Sequence, residues 1–163
     1  MATSLSSDVD PLALEHQVCF ALAVTNRAVL AVYRPLLEPL GLTHPQYLVM
    51  LALWDHRKGS AETRSPLSVK QIATALQLDP ATLSPMLKRL EVLGLVTRTR
   101  SAVDERSTEI ELTGEGLALR RRALEIPPAV VARLGVDMTE LEELHRVLTR
   151  VNAAALAAGS LAT

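Results

Sequence analysis

The chain has 163 residues, 48% of them hydrophobic and 21% charged, which allows one substantial core and excludes a disordered composition. Aromatic residues make up only 2%, which excludes rows of stacked aromatics for single-stranded nucleic acid and leaves Leu, Val and Ala to fill the core. The net charge of −1 excludes a protein that is basic overall, though not a local basic surface, and a single cysteine excludes an intrachain disulfide.

Met1 to Asp10 is polar and acidic and lacks the basic-then-apolar order of a signal peptide. No apolar run approaches the roughly 20 residues of a membrane span, so a soluble cytoplasmic protein with no membrane partner is expected. Asp10-Pro11 reads as N-cap and first residue of a helix running to about Leu37, bent by Pro35 and ended by Glu38-Pro39. Leu14, Val18, Leu22, Val29, Val32 and Leu36 form one stripe, which Cys19, Phe20, Ala23 and Leu30 widen. A helix this apolar around its girth needs more than one face covered, which predicts a partner subunit. Cys19, the lone thiol, has two readings here: a small buried hydrophobe or a redox sensor.

Gly41 marks a turn, and Thr43-His44-Pro45-Gln46 opens the next helix as a capping box, with Tyr47, Leu48, Met50, Leu51 and Trp54 following. Arg57 to Pro66 reads as a solvated connector. Ser68-Val69-Lys70-Gln71 is a second capping box, with Ile72, Ala75 and Leu76 expected inward. Asp79-Pro80 then starts a third helix with Leu83, Met86, Leu87 and Leu90 on its inner face. Thr82, Ser84, Pro85, Lys88 and Arg89 are left facing outward, and Gly94 stops the helix. Val96–Arg100 and Thr108–Leu112 alternate around the polar loop Ser101–Ser107, a β-hairpin with a charged tip. Thr113 caps a helix interrupted by Pro127-Pro128. Thr139 to Glu142 opens the last helix, where Leu141, Leu144, Leu148, Val151 and Ala155 make a coiled-coil-like seam, suited to a second subunit or to packing within one.

The predicted fold is mainly α with a small β-hairpin wing, a winged helix-turn-helix. Such a helix enters the major groove of double-stranded DNA, where hydroxyls and cations reach base edges and phosphates. Thr82, Ser84, Pro85, Lys88 and Arg89 are the candidate contacts from the helix, Arg98 and Arg100 face the DNA backbone, and Arg106 suits the minor groove. Asp104 contacts DNA or shapes the wing by pairing with Arg106 or Arg100.

Leu76 to Glu91 resembles the recognition helix of MarR-type regulators, and Gly94-Leu95-Val96-Thr97-Arg98 with Asp104-Glu105-Arg106-Ser107 resembles their wing. Gln17 to Leu22, Tyr33 to Leu37 and Gly41 to Leu48 narrow the likeness to the organic-hydroperoxide-sensing (OhrR-like) repressors of that family. The resemblance covers about Leu14 to Pro127. It implies a homodimer on a pseudo-palindromic operator that lets go when its N-terminal cysteine, here Cys19, is oxidised. It also implies dimerisation helices at 11–38 and 113–158 around a DNA-binding region at 43–112. Of the family's tyrosines that bond the thiol, Tyr33 is kept, while Ala23 and His44 stand at the other two positions. His44 can donate a hydrogen bond and, if protonated, favours a thiolate.

Fourteen residues separate Cys19 from Tyr33, about 21 Å along one helix, so a bond between them has to cross between subunits with His44 alongside. Without a second cysteine, an oxidised Cys19 pairs with a low-molecular-weight thiol, bonds another chain, or oxidises further. Competing readings are a MarR-type regulator answering a small phenolic or aromatic ligand with Cys19 structural, a thiol peroxidase, and a winged-helix protein-interaction module. No enzyme is expected, since peroxidase turnover needs a resolving thiol. No cofactor is expected, and His16, His44, His56 and His145 are too scattered for a metal site.

Overall fold

Two reciprocal capping boxes start the helices at the centre of the molecule. At the start of α2 (His44–His56) the Thr43 N–H donates to Gln46 Oε1 at 2.9 Å. At the start of α3 (Val69–Leu76) the Ser68 N–H donates to Gln71 Oε1 at 2.8 Å and the Gln71 N–H to Ser68 Oγ at 3.1 Å. These observations come from a computed structural model that describes residues 10–57 and 65–160; the expectations for residues 1–9 and for 58–64 of the polar connector lie outside the described residues.

The first helix, α1, spans Val18–Leu37 rather than starting at Pro11. Asp10 Oδ1 does accept the Leu12 N–H at 2.9 Å, but only a short 3₁₀ turn, Leu14–His16, follows. Gln17 is extended, and its Nε2 donates back to the Pro11 carbonyl at 2.7 Å, closing that turn on itself instead of extending it into α1. Pro35 lies inside α1, and Pro39 sits in a second 3₁₀ turn, Glu38–Leu40, closed by left-handed Gly41 at φ 71°.

The third helix of the DNA-binding region, α4 (Pro80–Val92), has Asp79 at its N-cap and Pro80 at its first position, as expected. Strands β2 (Val96–Arg100) and β3 (Thr108–Leu112) pair antiparallel with Val96 opposite Leu112 and Arg98 opposite Ile110. A two-residue strand, β1 (Leu67–Ser68), adds to the other edge of β3, so the wing is a three-stranded sheet in the order β1-β3-β2. Two residues are too few to show an alternating pattern, which is why only the hairpin is legible in the sequence. The helix after the wing divides into α5 (Gly114–Ala123) and α6 (Ile126–Leu134). The break falls before Pro127-Pro128, so these prolines occupy the first turn of α6, where a missing N–H costs nothing. The last helix, α7, spans Met138–Ser160.

Leu83, Leu87 and Leu90 of α4 pack with Val49, Met50, Leu53 and Trp54 of α2, Ile72 and Ala73 of α3, Val96 and Ile110 of the wing, and Leu119 and Ala123 of α5. Ala73 is buried in place of the expected Ala75. The core closes at one junction. Trp54 Nε1 donates to the Gly116 carbonyl at 2.9 Å, Thr113 Oγ1 donates to the Gly94 carbonyl at 2.6 Å, and the Thr113 N–H donates to the Leu95 carbonyl at 3.1 Å.

The outer helices contrast with this core. Leu37 is the only buried residue of α1, and Val18 and Leu22 are exposed. The expected seam of α7 is exposed at Leu144, Leu148 and Val151, so at these positions the described residues leave it uncovered. The stretch Val18–Leu40 is also long and apolar enough to cross a membrane by length and composition, with mean hydropathy 1.2, which corrects the expectation that no run reaches span length. It carries Arg27 and Arg34, however, and packs against α6 and α2.

A Cβ at Gly116 would press directly on the Leu95 carbonyl. Gly116→Ala is therefore expected to destabilise the protein, because overpacking against backbone costs about 1–3 kcal/mol and outweighs the roughly 1 kcal/mol of helix propensity that Ala gains over Gly; thermal melting checks this.

Candidate nucleic-acid interface and thiol site

The inner stripe of α4 fixes what its outer face offers. With Leu83, Leu87 and Leu90 buried, Thr82, Ser84, Pro85, Lys88 and Arg89 are all exposed on the opposite side, in agreement with the spacing. Thr82 and Ser84 lie near the helix N-terminus, where free N–H groups and the helix dipole favour phosphate.

The wing tip is held by its own polar groups. Ser101 Oγ accepts the Val103 N–H at 3.2 Å and the Asp104 N–H at 3.3 Å, while the Ser107 N–H donates to the Asp104 carbonyl at 2.8 Å. Asp104 Oδ1 accepts the backbone N–H of Arg106 at 3.0 Å. Asp104 thus shapes the tip through the Arg106 backbone and leaves the exposed Arg106 side chain outside that bond. Arg100 is likewise exposed. Arg98 is different: its Nη1 lies 3.7 Å from Glu91 Oε2 at the end of α4, and its Nε is buried. Arg98 reaches back toward α4, because its position opposite Ile110 points it toward the covered face of the sheet.

Cys19 is exposed in the first turn of α1. Tyr33, on the same helix, stands about 21 Å away along the axis, so one chain does not bring the two together. It does bring Tyr33 to His44: their ring centroids are 4.9 Å apart in an edge-to-face arrangement. Tyr47 completes the cluster at 6.1 Å from Tyr33 and 6.4 Å from His44. From sequence Tyr47 reads only as part of an apolar helix face; its i, i+3 spacing from His44 is the signal that points to the cluster. Burial lowers the His44 pKa, so the ring is neutral near neutral pH and offers a hydrogen bond rather than the positive charge considered from sequence. Burial raises the pKa of Tyr33, and burial followed by the charge of Tyr33 raises that of Tyr47, so both phenols stay protonated. A cavity of about 580 Å³ opens beside this cluster, lined by Leu30, Arg34, Leu37, Leu42, His44 and Pro45 among others.

The family profile described as "Transcriptional regulator SarA/Rot" matches residues 31–120. Over 144 residues the chain is 42% identical to the organic hydroperoxide resistance transcriptional regulator of Bacillus subtilis, covering 88% of this chain and 92% of that protein. The chain belongs to the SarA/Rot and MarR-type winged-helix transcriptional regulators. It is also 36% identical over 139 residues to the regulator MgrA of Staphylococcus aureus, covering 85% of this chain and 89% of that one. The solved structure of reduced AbfR bound to DNA superposes with a TM-score of 0.73 at 32% identity, covering 87% of this chain and 92% of that one; AbfR is a protein of Staphylococcus epidermidis.

The chain is thus a DNA-binding regulator whose β-sheet is the wing, and α4 is the helix expected to enter the major groove. The cations of α4 and of the wing tip are exposed, whereas Arg98 is held against Glu91. Lys88→Ala and Arg89→Ala are each expected to weaken DNA binding alike across sequences and to flatten its salt dependence by about 0.9 in log–log slope for each phosphate that is no longer neutralised. Arg98→Ala should leave that slope unchanged and lower thermal stability instead; salt titrations of duplex binding separate the two classes. For His44 the sign follows from its lowered pKa. The folded protein holds the neutral ring, so the unfolded chain takes up the proton first as pH falls below about 6.5. Stability should fall with pH through that range, and His44→Phe should make the fall shallower in melting curves.

Proposed function

We propose that this regulator is a homodimeric repressor that senses organic hydroperoxides by oxidation of Cys19 and then releases its operator. The observation that carries the reading is the pairing of an exposed thiol at one end of α1 with the Tyr33–His44–Tyr47 cluster at the other. In an antiparallel pairing of two α1 helices, each Cys19 meets the partner's cluster. The uncovered apolar faces of α1 and α7 supply the surface for that pairing, with 11–38 and 113–158 forming the dimer and 43–112 holding DNA. The likeness to a regulator named for organic hydroperoxide resistance supports the choice of signal.

The chemistry is a two-electron displacement. The Cys19 thiolate attacks the terminal peroxide oxygen, an S–O bond forms as the O–O bond breaks, and the alkoxide takes up a proton and leaves as the alcohol. Sulfur is oxidised to sulfenic acid and the hydroperoxide is reduced. A low-molecular-weight thiol then condenses with the sulfenic acid and releases water. Either product adds bulk to an apolar dimer interior, which shifts the helices and changes the spacing of the two recognition helices on a pseudo-palindromic duplex. In the bound state Thr82, Ser84, Pro85, Lys88 and Arg89 meet the major groove, Arg100 the backbone and Arg106 the minor groove, and action on DNA implies a cytoplasmic protein.

A second reading keeps the DNA binding and replaces the trigger with a phenolic or aromatic ligand. A groove of about 540 Å³ between α2, α3 and α5, lined by Leu48, Leu51, Leu76, Arg120 and Leu124 among others, favours it. So does the likeness to CouR of Rhodococcus jostii, solved with p-coumaroyl-CoA, at 25% identity and a TM-score of 0.68. Cys19→Ser separates the two. On the proposed reading it binds the operator like the parent and ignores cumene hydroperoxide; release of DNA by the peroxide-treated mutant sinks that reading. A thermal shift with a phenolic acid that persists in Cys19→Ser supports the second.

A further inference from the structure

We infer that Trp54 is a positioning residue that carries a change at the thiol site, through α2, to the joint between recognition helix and wing. The inference rests on the hydroperoxide reading and adds to it the route by which the site reaches DNA.

The helix α2 begins at His44 in the aromatic cluster and carries Trp54 ten residues later, about 15 Å along its axis. Tyr47, Met50 and Trp54 share one buried face of that helix. At its far end the Trp54 indole N–H is spent on the Gly116 carbonyl, in a buried bond that spans most of the DNA-binding region. Gly116 lies directly against the Leu95 carbonyl with no room for a side chain. Three residues before it, Thr113 holds the Gly94 carbonyl through Oγ1 and the Leu95 carbonyl through its N–H. Gly94 and Leu95 are the link between α4 and β2. Close to the other end of α2, Arg122 Nη2 donates to the Pro39 carbonyl at 2.7 Å. Trp54 thus ties α2 to α5 in the core, and Arg122 ties the 3₁₀ turn that precedes α2 to the same helix at the surface.

A rotation or slide of α2 that starts at Tyr33 and His44 has two outcomes at Trp54. It either breaks a buried hydrogen bond, leaving the Trp54 indole N–H without its partner, or drags Gly116, and with it the joint that sets the angle of α4 to the wing. The second keeps the bond and moves the DNA-reading surface. Packed elements with few alternative arrangements transmit displacements in this way.

The test uses the full chain and a duplex enriched by the reduced parent from a random-sequence pool. Dissociation constants are measured before and after cumene hydroperoxide, with Cys19 oxidation confirmed by mass spectrometry. The parent is expected to lose affinity by a factor of about 5–150, the usual range of coupling between sites. Trp54→Phe keeps the ring packing and drops the donor; it should bind the duplex in reduced form within about threefold of the parent, with its oxidised-to-reduced ratio falling toward one. Thr113→Val should lower the ratio in the same way, and Thr113→Ser, which keeps the hydroxyl, should restore it. The Thr113 pair decides the matter if melting shows that Trp54→Phe fails to fold. A parental ratio in Trp54→Phe or Thr113→Val, or equal losses of affinity in both redox states, overturns the inference. A parent that keeps its duplex after Cys19 is oxidised overturns the hydroperoxide reading as well.

Discussion

A helix that is apolar around its whole girth has to be covered, and one chain covers only one side of α1. Among its residues Leu37 alone is fully buried, while Val18 and Leu22 face outward, and α7 adds Leu144, Leu148 and Val151 to the same unmet demand. Exposed apolar surface of this extent is the mark of an interface. Cys19 and the Tyr33–His44–Tyr47 cluster sit at opposite ends of that helix. Whatever covers α1 therefore also decides what touches Cys19, so on the proposed reading assembly and sensing answer to one constraint.

DNA binding poses a different problem: a chain of net charge −1 has to present cations to phosphate. The net charge is −1, yet the exposed outer face of α4 carries Lys88 and Arg89 and the wing carries Arg100 and Arg106. Glu91 lies on the same helix, but its carboxylate is engaged by Arg98 rather than left to repel the duplex. The acid of the wing tip is treated similarly, since Asp104 folds the tip through the backbone of Arg106. On the proposed reading, local pairing and turn geometry, rather than overall charge, make this surface suitable for DNA.

Much of this can be read from residues in order because it is local. The two capping boxes, the Asp79-Pro80 start, the 3-4 spacing of Leu83, Leu87 and Leu90 and the alternation of the wing strands each depend on a few neighbours, and each matches the structure. What the order of residues hides depends on distant partners or on competition between local options. Gln17 prefers to cap its own short turn over continuing a helix from Pro11. Arg98 reads as a free cation until the sheet places it opposite Ile110 and beside Glu91. Tyr47 joins Tyr33 and His44 only because α1 and α2 pack side by side, and β1 exists only because β3 offers it an edge.

The character of the aromatic cluster bears on which thiol chemistry it can support. Tyr33 and Tyr47 are kept protonated by burial, and His44 is kept neutral by the same cause. The three rings therefore present neutral hydrogen-bond donors, and His44 adds no positive charge to them. Donors stabilise an anionic sulfur when it is already formed, and they do so in proportion to how well water is excluded. A cationic imidazole would hold a permanent thiolate and expose it to every oxidant that reached it. A neutral cluster ties thiolate stabilisation to closure of the apolar interface around it. On the proposed reading, the dimer is then required twice, once to bring the donors to Cys19 and once to remove the water that would weaken them.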